Sequence, residues 1–156
     1  MQNGYARPTP DQLDDIARLL DELSEDEIDD LRTELCIGIQ WDTEVTISPE
    51  RHTVTQVYGS ALPIGYSDRS DNWEPFARLV LEASYEATLH AAVINSVATA
   101  NNSVYLTLLG GGVFGNKTSW IVDSIASALR WFGDSDLDIA IVSYGHSNPA
   151  LAPLLT

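Results

Sequence analysis

The chain is poor in positive charge and has almost no cysteine. Its 156 residues contain 8 Lys and Arg against 23 Asp and Glu, which gives a formal net charge of −15. Nucleic-acid phosphates and anionic lipids repel such a chain, so we expect no direct binding to nucleic acid or to a membrane. Cys36 is the only cysteine. It has no partner for an internal disulfide, and the expected location is therefore cytoplasmic.

Several patterns that mark membrane proteins and enzymes are also missing. No apolar run reaches the roughly 18 residues of a membrane span, and no signal-peptide pattern is present. The sequence has no HExxH motif, no cysteine cluster and no GxSxG turn. Glu82, Glu86 and His90 share one helical stripe, which suits either a metal ion or a solvated helix edge. We predict no metal site, no cofactor and no catalytic residue, which favours a protein that is not an enzyme.

Length and composition indicate one domain with a hydrophobic core. Hydrophobic residues make up 44% of the chain, as is typical of folded domains. We assign residues 1–156 to a single α/β domain with three parts. An acidic helical hairpin covers residues 1–35, a sheet core covers residues 36–148, and a tail covers residues 149–156.

The hairpin is predicted from two helix-start signals and a concentration of acids. Thr9 with Gln12, and Ser24 with Glu27, have the spacing of capping boxes. Eleven of the 23 acidic residues lie between Asp11 and Glu34. The outer face of this segment is therefore expected to be strongly negative.

Two interpretations of the negative face stay open. It is either a solvated surface that aids solubility, or a surface that attracts a basic protein groove by imitating nucleic acid. In the second interpretation the partner-binding residues are Asp26, Asp29 and Asp30.

The middle of the chain predicts short strands followed by one long helix. Residues 36–41 and 44–47 are β-rich, with Asp42 and Thr43 as a turn between them. Residues 53–61 alternate as a strand does, and an apolar stripe predicts a helix from residue 71 or 72 to about residue 100.

Two apolar strands are predicted near the end of the chain, at residues 103–109 and 137–144. The helix between them predicts a right-handed crossover, so the two strands are expected to be parallel. Residues 103–109 are apolar on both faces, as in a strand covered on both sides. We expect a mixed, partly parallel sheet of about four to six strands flanked by helices.

A glycine-rich loop follows the first of these strands and precedes a helix. Glycines allow close backbone approach, and a helix N-terminus presents free N–H groups to an anion. The loop therefore suits a phosphate, and a tight strand-to-helix turn that requires positive φ is the alternative. Asn116 suits the N-cap of the helix. The candidate ligand-binding residues of the loop are Gly110, Gly111, Gly112, Val113, Phe114, Gly115 and Asn116.

Residues 143–148 follow the next parallel strand and should open onto the same sheet edge. The candidate ligand contacts in this segment are Ser143, His146 and Asn148, with a plain surface loop as the alternative.

The segments LTLLGGGVFGN and LDIAIVSYG, with a Trp-bearing helix between them, resemble the second half of a macro domain. That family binds ADP-ribose, and some of its members hydrolyse it. The resemblance implies that residues 111–116 surround the diphosphate and that residues 143–148 lie near the loop that closes the pocket.

A longer likeness runs from about Gln2 to Asn148. QWDTEVT, HTVTQVYGSALPIGYS and WEPFARLVLEASYEATL are similar to segments of uncharacterised proteins with a macro-like C-terminal half. Those relatives are longer, so this chain resembles a free-standing C-terminal half. The first ligand loop of a macro domain has no counterpart here, and a strand edge is expected to be open.

The expected function is a macro-like module that binds a nucleotide such as ADP-ribose with little or no catalysis. The alternative is an acidic inhibitor that acts by protein contact, for example on a nucleic-acid-binding defence complex, with its ligand site lost. A homodimer or a protein partner is expected at the open sheet edge or at the acidic helices.

Overall fold

The computed structural model describes residues 4–67 and 71–155, and these residues form an α/β protein. Three short 3₁₀ segments cover Ile64–Tyr66, Asp71–Trp73 and Pro149–Leu154. The α-helices are α1 (Pro10–Glu22), α2 (Glu25–Thr33), α3 (Glu74–Thr99) and α4 (Thr118–Trp131). The strands are β1 (Gly38–Glu44), β2 (Thr53–Tyr58), β3 (Ser103–Thr107) and β4 (Asp138–Val142). None of the helices described is long and apolar enough to cross a membrane.

Both capping boxes predicted for the acidic segment are confirmed. The Thr9 hydroxyl accepts the Gln12 backbone N–H, and the Gln12 side chain accepts the Thr9 backbone N–H in return. Ser24 and Glu27 make the same reciprocal pair at the start of α2. Hydrogen bonds from Ser24 lower the pKa of Glu27, because they favour its ionised form. The two helix starts are thus fixed by local side-chain chemistry.

The strands form two separate two-stranded sheets among the described residues. β1 and β2 are antiparallel, and β3 and β4 are parallel, as the crossover argument predicts. The expected single sheet of about four to six strands is not confirmed.

The predicted turn at Asp42 and Thr43 is wrong. One strand, β1, continues through this region, and its register with β2 shifts between Gln40 and Thr43. Asp42 has φ of 52°, a left-handed value that few residues other than glycine adopt. The extra residue is accommodated as a β-bulge, which bends a strand without ending it.

The expectation that residues 103–109 are covered on both faces is also wrong. The strand itself ends at Thr107, and the side chains of Val104 and Leu106 are buried on one face. Tyr105 points the other way and is 72% exposed. Helices therefore cover one face of the β3–β4 sheet, and its outer face is open.

The hydrophobic core lies between α3, α4 and the inner face of this sheet. Leu81 and Leu89 of α3, and Ile121 and Ile125 of α4, are completely buried at 0% exposure. Burying side chains of this size contributes about 1.5–3 kcal/mol each, so packing between these two helices is a substantial part of the stability of the fold.

Arg32 ties the acidic helices to α3. Its guanidinium pairs with Asp29 on its own helix and lies 2.9 Å from Glu82 and 3.4 Å from Glu86 on α3. Burial raises the pKa of Glu86, while the charge of Arg32 opposes that rise. The carboxylates of the predicted Glu82–Glu86–His90 stripe thus belong to an ion-pair cluster, and the His90 ring packs on Phe132 instead.

We expect Arg32→Gln to lower the free energy of unfolding by about 2 kcal/mol, because it leaves two half-buried carboxylates without a counter-charge. Urea unfolding measures the loss. The matched control is Arg18→Gln, whose ion pair with Asp15 is fully on the surface, and its cost is expected to stay below about 0.5 kcal/mol. Equal losses in the two variants would contradict this assignment.

The pH dependence follows from the raised pKa of Glu86. Because the pKa of Glu86 is higher in the folded state, the protonated carboxyl adds to the free energy of unfolding. This contribution is fully present below pH 4.5, the ordinary pKa of the group, and is lost as the pH rises through the pKa of the folded state. The deficit of Arg32→Gln should therefore shrink as the pH is lowered, because the uncompensated carboxylates become neutral.

Candidate functional site

The glycine loop links β3 to α4, as predicted, and its backbone requires glycine at two positions. Gly110 and Gly115 both have φ of +72°. A Cβ on Gly110 would lie 2.3 Å from the Cβ of Ala61, so this glycine also permits a close approach between two chain segments. The tight-turn interpretation of the loop therefore has direct structural support.

Much of the hydrogen-bonding capacity of the loop is used within the loop itself. The N–H of Gly111 donates to Leu108 O at 3.1 Å, and the N–H of Gly115 donates to Gly112 O at 3.0 Å. The N–H of Asn116 donates to Gly110 O at 3.0 Å. A phosphate cradle needs several N–H groups that point at the anion, and these three are engaged elsewhere.

Asn116 holds the loop to the segment before α3. It is 4% exposed, and its Nδ2 donates to Leu62 O at 2.9 Å and to Gly110 O at 3.3 Å. The predicted N-cap role of Asn116 is wrong, because α4 begins at Thr118 after Lys117 as N-cap, with no side-chain cap. The buried amide instead satisfies backbone carbonyls.

Phe114 packs within an aromatic group formed with Tyr5 and Tyr66. The three rings meet edge to face, with centroids 5.6–6.0 Å apart. The carbonyl of Phe114 also accepts the N–H of Gly65 at 2.8 Å. By contrast, a Cβ on Gly112 would meet no atom of the described residues within 4 Å, so this part of the loop faces open space among them.

The segment after β4 lies at the same end of the parallel sheet as the glycine loop. Asn148 caps the last 3₁₀ segment by accepting the N–H of Ala150 at 3.0 Å, so it has a structural role. His146 is exposed. Ser143 is half-buried, and its hydroxyl has no hydrogen-bond partner among the described residues.

The three acidic residues predicted to bind a partner do not share one environment. Asp26 and Asp30 are exposed. Asp29 is half-buried and forms an ion pair with Arg32, so its charge is partly neutralised within the protein. Only Asp26 and Asp30 are fully available at the surface.

A large groove between β2 and β3 is not predicted by any pattern in the sequence. We call it the β2–β3 groove: it encloses ≈730 Å³, its floor is one side of α3, and its walls are residues 53–59 and 103–109. A second groove of ≈590 Å³ is lined by the end of α2, the start of β1, the middle of α3 and the end of α4. Neither groove includes a residue of the glycine loop or of residues 143–148.

Tyr85 closes one end of the β2–β3 groove. Its hydroxyl donates to Thr107 O at 2.8 Å and accepts the N–H of Leu109 at 3.0 Å. Burial raises the pKa of Tyr85 to about 12, so the hydroxyl keeps its proton near neutral pH. Tyr85 therefore links α3 to the end of β3 through a protonated hydroxyl.

We expect Gly110→Ala to destabilise the protein by about 2 kcal/mol or more, because its Cβ would collide with Ala61 at a positive φ. Gly112→Ala is the matched control, since open space surrounds it, and its effect should stay within about 0.5 kcal/mol. Thermal and urea unfolding of both variants measure the difference. A tolerated Gly110→Ala would show that the loop is not the rigid turn described above.

Comparison with known proteins adds no relative. No protein-family model, no curated protein and no solved structure matches this chain.

Proposed function

We propose that this protein binds a basic protein partner through the acidic surface of α1 and α2. The observation that carries the proposal is the number of exposed, uncompensated carboxylates on these helices. In the described part of the chain, their acids form ion pairs in two places, Asp15 with Arg18 and Asp29 with Arg32. Asp11, Asp21, Glu22, Glu25, Asp26 and Asp30 are exposed, with no ion pair found for any of them among the described residues.

The chemistry of the partner follows from this surface. Closely spaced carboxylates on rigid helices attract a groove lined with Lys and Arg, the type of groove that otherwise binds nucleic-acid phosphates. Such a protein would act as an inhibitor by occupying the groove. The interaction is expected to weaken as salt rises, because exposed charges are screened over about 8 Å at physiological ionic strength.

A charge-reversal experiment tests the acidic surface. The variant Asp26→Lys with Asp30→Lys should lose partner capture from a cell extract, because it reverses two exposed charges and leaves the Arg32 cluster intact. The matched control is Asp134→Lys with Asp136→Lys, which makes the same change in net charge at exposed positions outside the helices. Capture is read by mass spectrometry of the bound proteins.

The contrast between the two variants decides the outcome. A partner retained by wild type and control but lost by the α2 variant supports the proposal, and added DNA should displace that partner. If both variants retain the same proteins, the acidic helices do not bind them.

Nucleotide binding by a macro-like fold is a second candidate, favoured by the open space at Gly112. Gly112 and Val113 are exposed at the carboxyl end of β3, where parallel sheets bind ligands. A macro-like fold needs a continuous sheet of about four to six strands. The two two-stranded sheets of the described residues supply only part of such a sheet. The engaged N–H groups of Gly111, Gly115 and Asn116 make it the weaker of the two.

Titration calorimetry with ADP-ribose tests the second candidate. Gly112→Glu should abolish the heat of binding, because it puts a negative side chain into the space a diphosphate would occupy. Gly133→Glu is the control, since a Cβ there meets nothing closer than 3.8 Å. No heat from wild type with ADP-ribose, NAD or ATP would rule the candidate out.

A further inference from the structure

We propose that the β2–β3 groove accepts one extended β-strand from a cationic partner polypeptide. The inference deepens the proposed protein-binding function and rests on it, but it assigns a surface separate from the acidic helices. Three features carry it. Two strand edges that have no strand partner in the described part of the chain face the groove, its floor is made of small and polar side chains, and the protein is strongly negative.

The edge of β3 that faces away from β4 has unpaired backbone groups. The Asn102 carbonyl accepts the N–H of Asp138 at 2.9 Å, so the backbone groups of Asn102 point towards β4. Because backbone direction alternates along a strand, the N–H and C=O groups of Val104 and Leu106 also point towards β4. The residues between them turn their N–H and C=O groups to the opposite edge. That edge is formed by Ser103, Tyr105 and Thr107, all of which line the groove.

Side chains satisfy the two ends of this edge and leave its centre open. The N–H of Ser103 donates to Asn101 Oδ1 at 3.0 Å, and the Thr107 carbonyl accepts the Tyr85 hydroxyl. The N–H and C=O of Tyr105 have neither a ladder partner nor a side-chain partner among the described residues. An edge with a free donor and acceptor at its centre is a template for a further strand.

The edge of β2 presents the same pattern from the other side. The N–H of Val45 donates to His52 O at 2.9 Å. The backbone N–H and C=O groups of residue 52, and of every second residue after it, therefore point towards β1. Thr53, Thr55 and Val57 therefore direct their backbone groups away from β1, and all three line the groove.

The floor of the groove lets a backbone come close. The side chains that α3 contributes there are small or polar, and Thr55 is fixed to this floor by its hydrogen bond to Asn95 at 2.7 Å. They include Ser84, Thr88, Ala91, Ala92 and Asn95. A strand laid on this floor with small apolar side chains pointing down would join β1–β2 to β3–β4 in one sheet of about five strands.

Charge selects a partner chain over a second copy of this protein. Among the described residues no Lys or Arg lines the groove, and Asp42 does. Two copies would each bring a net charge of −15, and the self-repulsion of such a pair opposes homotypic pairing. An incoming strand with Lys or Arg at its ends meets the opposite sign, which favours a cationic segment of another polypeptide.

A labelled peptide tests the groove directly. The probe has five alternating Thr and Val residues, matching the five residues of β3, with Lys at both ends. We expect its fluorescence anisotropy to rise on binding the full-length protein, and amide exchange at Tyr105, Thr107 and Thr55 to slow. The same peptide with alternate N-methylated amides should not bind, because it cannot pair with both edges.

Tyr105→Pro removes the central donor without breaking the β3–β4 ladder, because the N–H of Tyr105 faces away from β4. We expect it to weaken peptide binding about tenfold or more. Tyr105→Thr keeps that donor and is the matched control, expected to bind within about twofold of wild type. Amide protection of Val104 and Leu106 shows that the ladder is intact in each variant.

Each further outcome decides a separate point. No anisotropy change and no amide protection with wild type would overturn the inference, and equal binding of a Glu-flanked peptide would overturn the cationic partner. A dimer in light scattering that Tyr105→Pro abolishes would identify a second copy as the occupant instead. The Asp26→Lys, Asp30→Lys variant should still bind the peptide, so failure at the acidic helices and failure at the groove are distinguishable.

Discussion

Helix α3 buries Leu81 and Leu89 completely, and the other three α-helices pack against it. It also reaches both sheets, through Asn95 to Thr55 of β2 and through Tyr85 to Thr107 of β3. Within residues 4–67 and 71–155 the two sheets share no ladder hydrogen bond, so their relative position depends on this helix. Most of the remaining architecture follows from that constraint. Arg32 attaches the acidic helices to α3 through Glu82. The glycine loop is attached to the segment before α3 through the hydrogen bond from Asn116 to Leu62.

Local chemistry accounts for what the sequence predicts well. The capping boxes at Thr9 and Ser24 involve residues three apart, and the parallel pairing of β3 with β4 follows from the helix between them. The strand–loop–helix order around Gly110 is local in the same sense. In each case the information lies within a short stretch of chain, where spacing and residue type decide the conformation.

Contacts between distant segments account for most of what the sequence does not predict. Arg32 contacts Glu82, which is 50 positions away in the chain, and the residue pattern of neither helix predicts this pairing. The amide of Asn116 is used by Leu62, 54 positions away, so a residue that suits an N-cap becomes a tether. The bulge at Asp42 has a left-handed backbone without glycine, which residue type alone does not indicate. The β2–β3 groove is the extreme case, because it arises from two strands that do not pair.

Tyr85 has a consequence for the solubility of a protein with open strand edges. An uninterrupted edge can template the addition of strand after strand, which is the route to fibrillar aggregation. The Tyr85 hydroxyl occupies the last carbonyl of β3, and Asn101 occupies its first N–H. These two side chains leave only a few residues around Tyr105 with backbone groups that another strand can pair with. The contact that fastens α3 to the sheet thus also shortens the part of the β3 edge with which a further strand can pair.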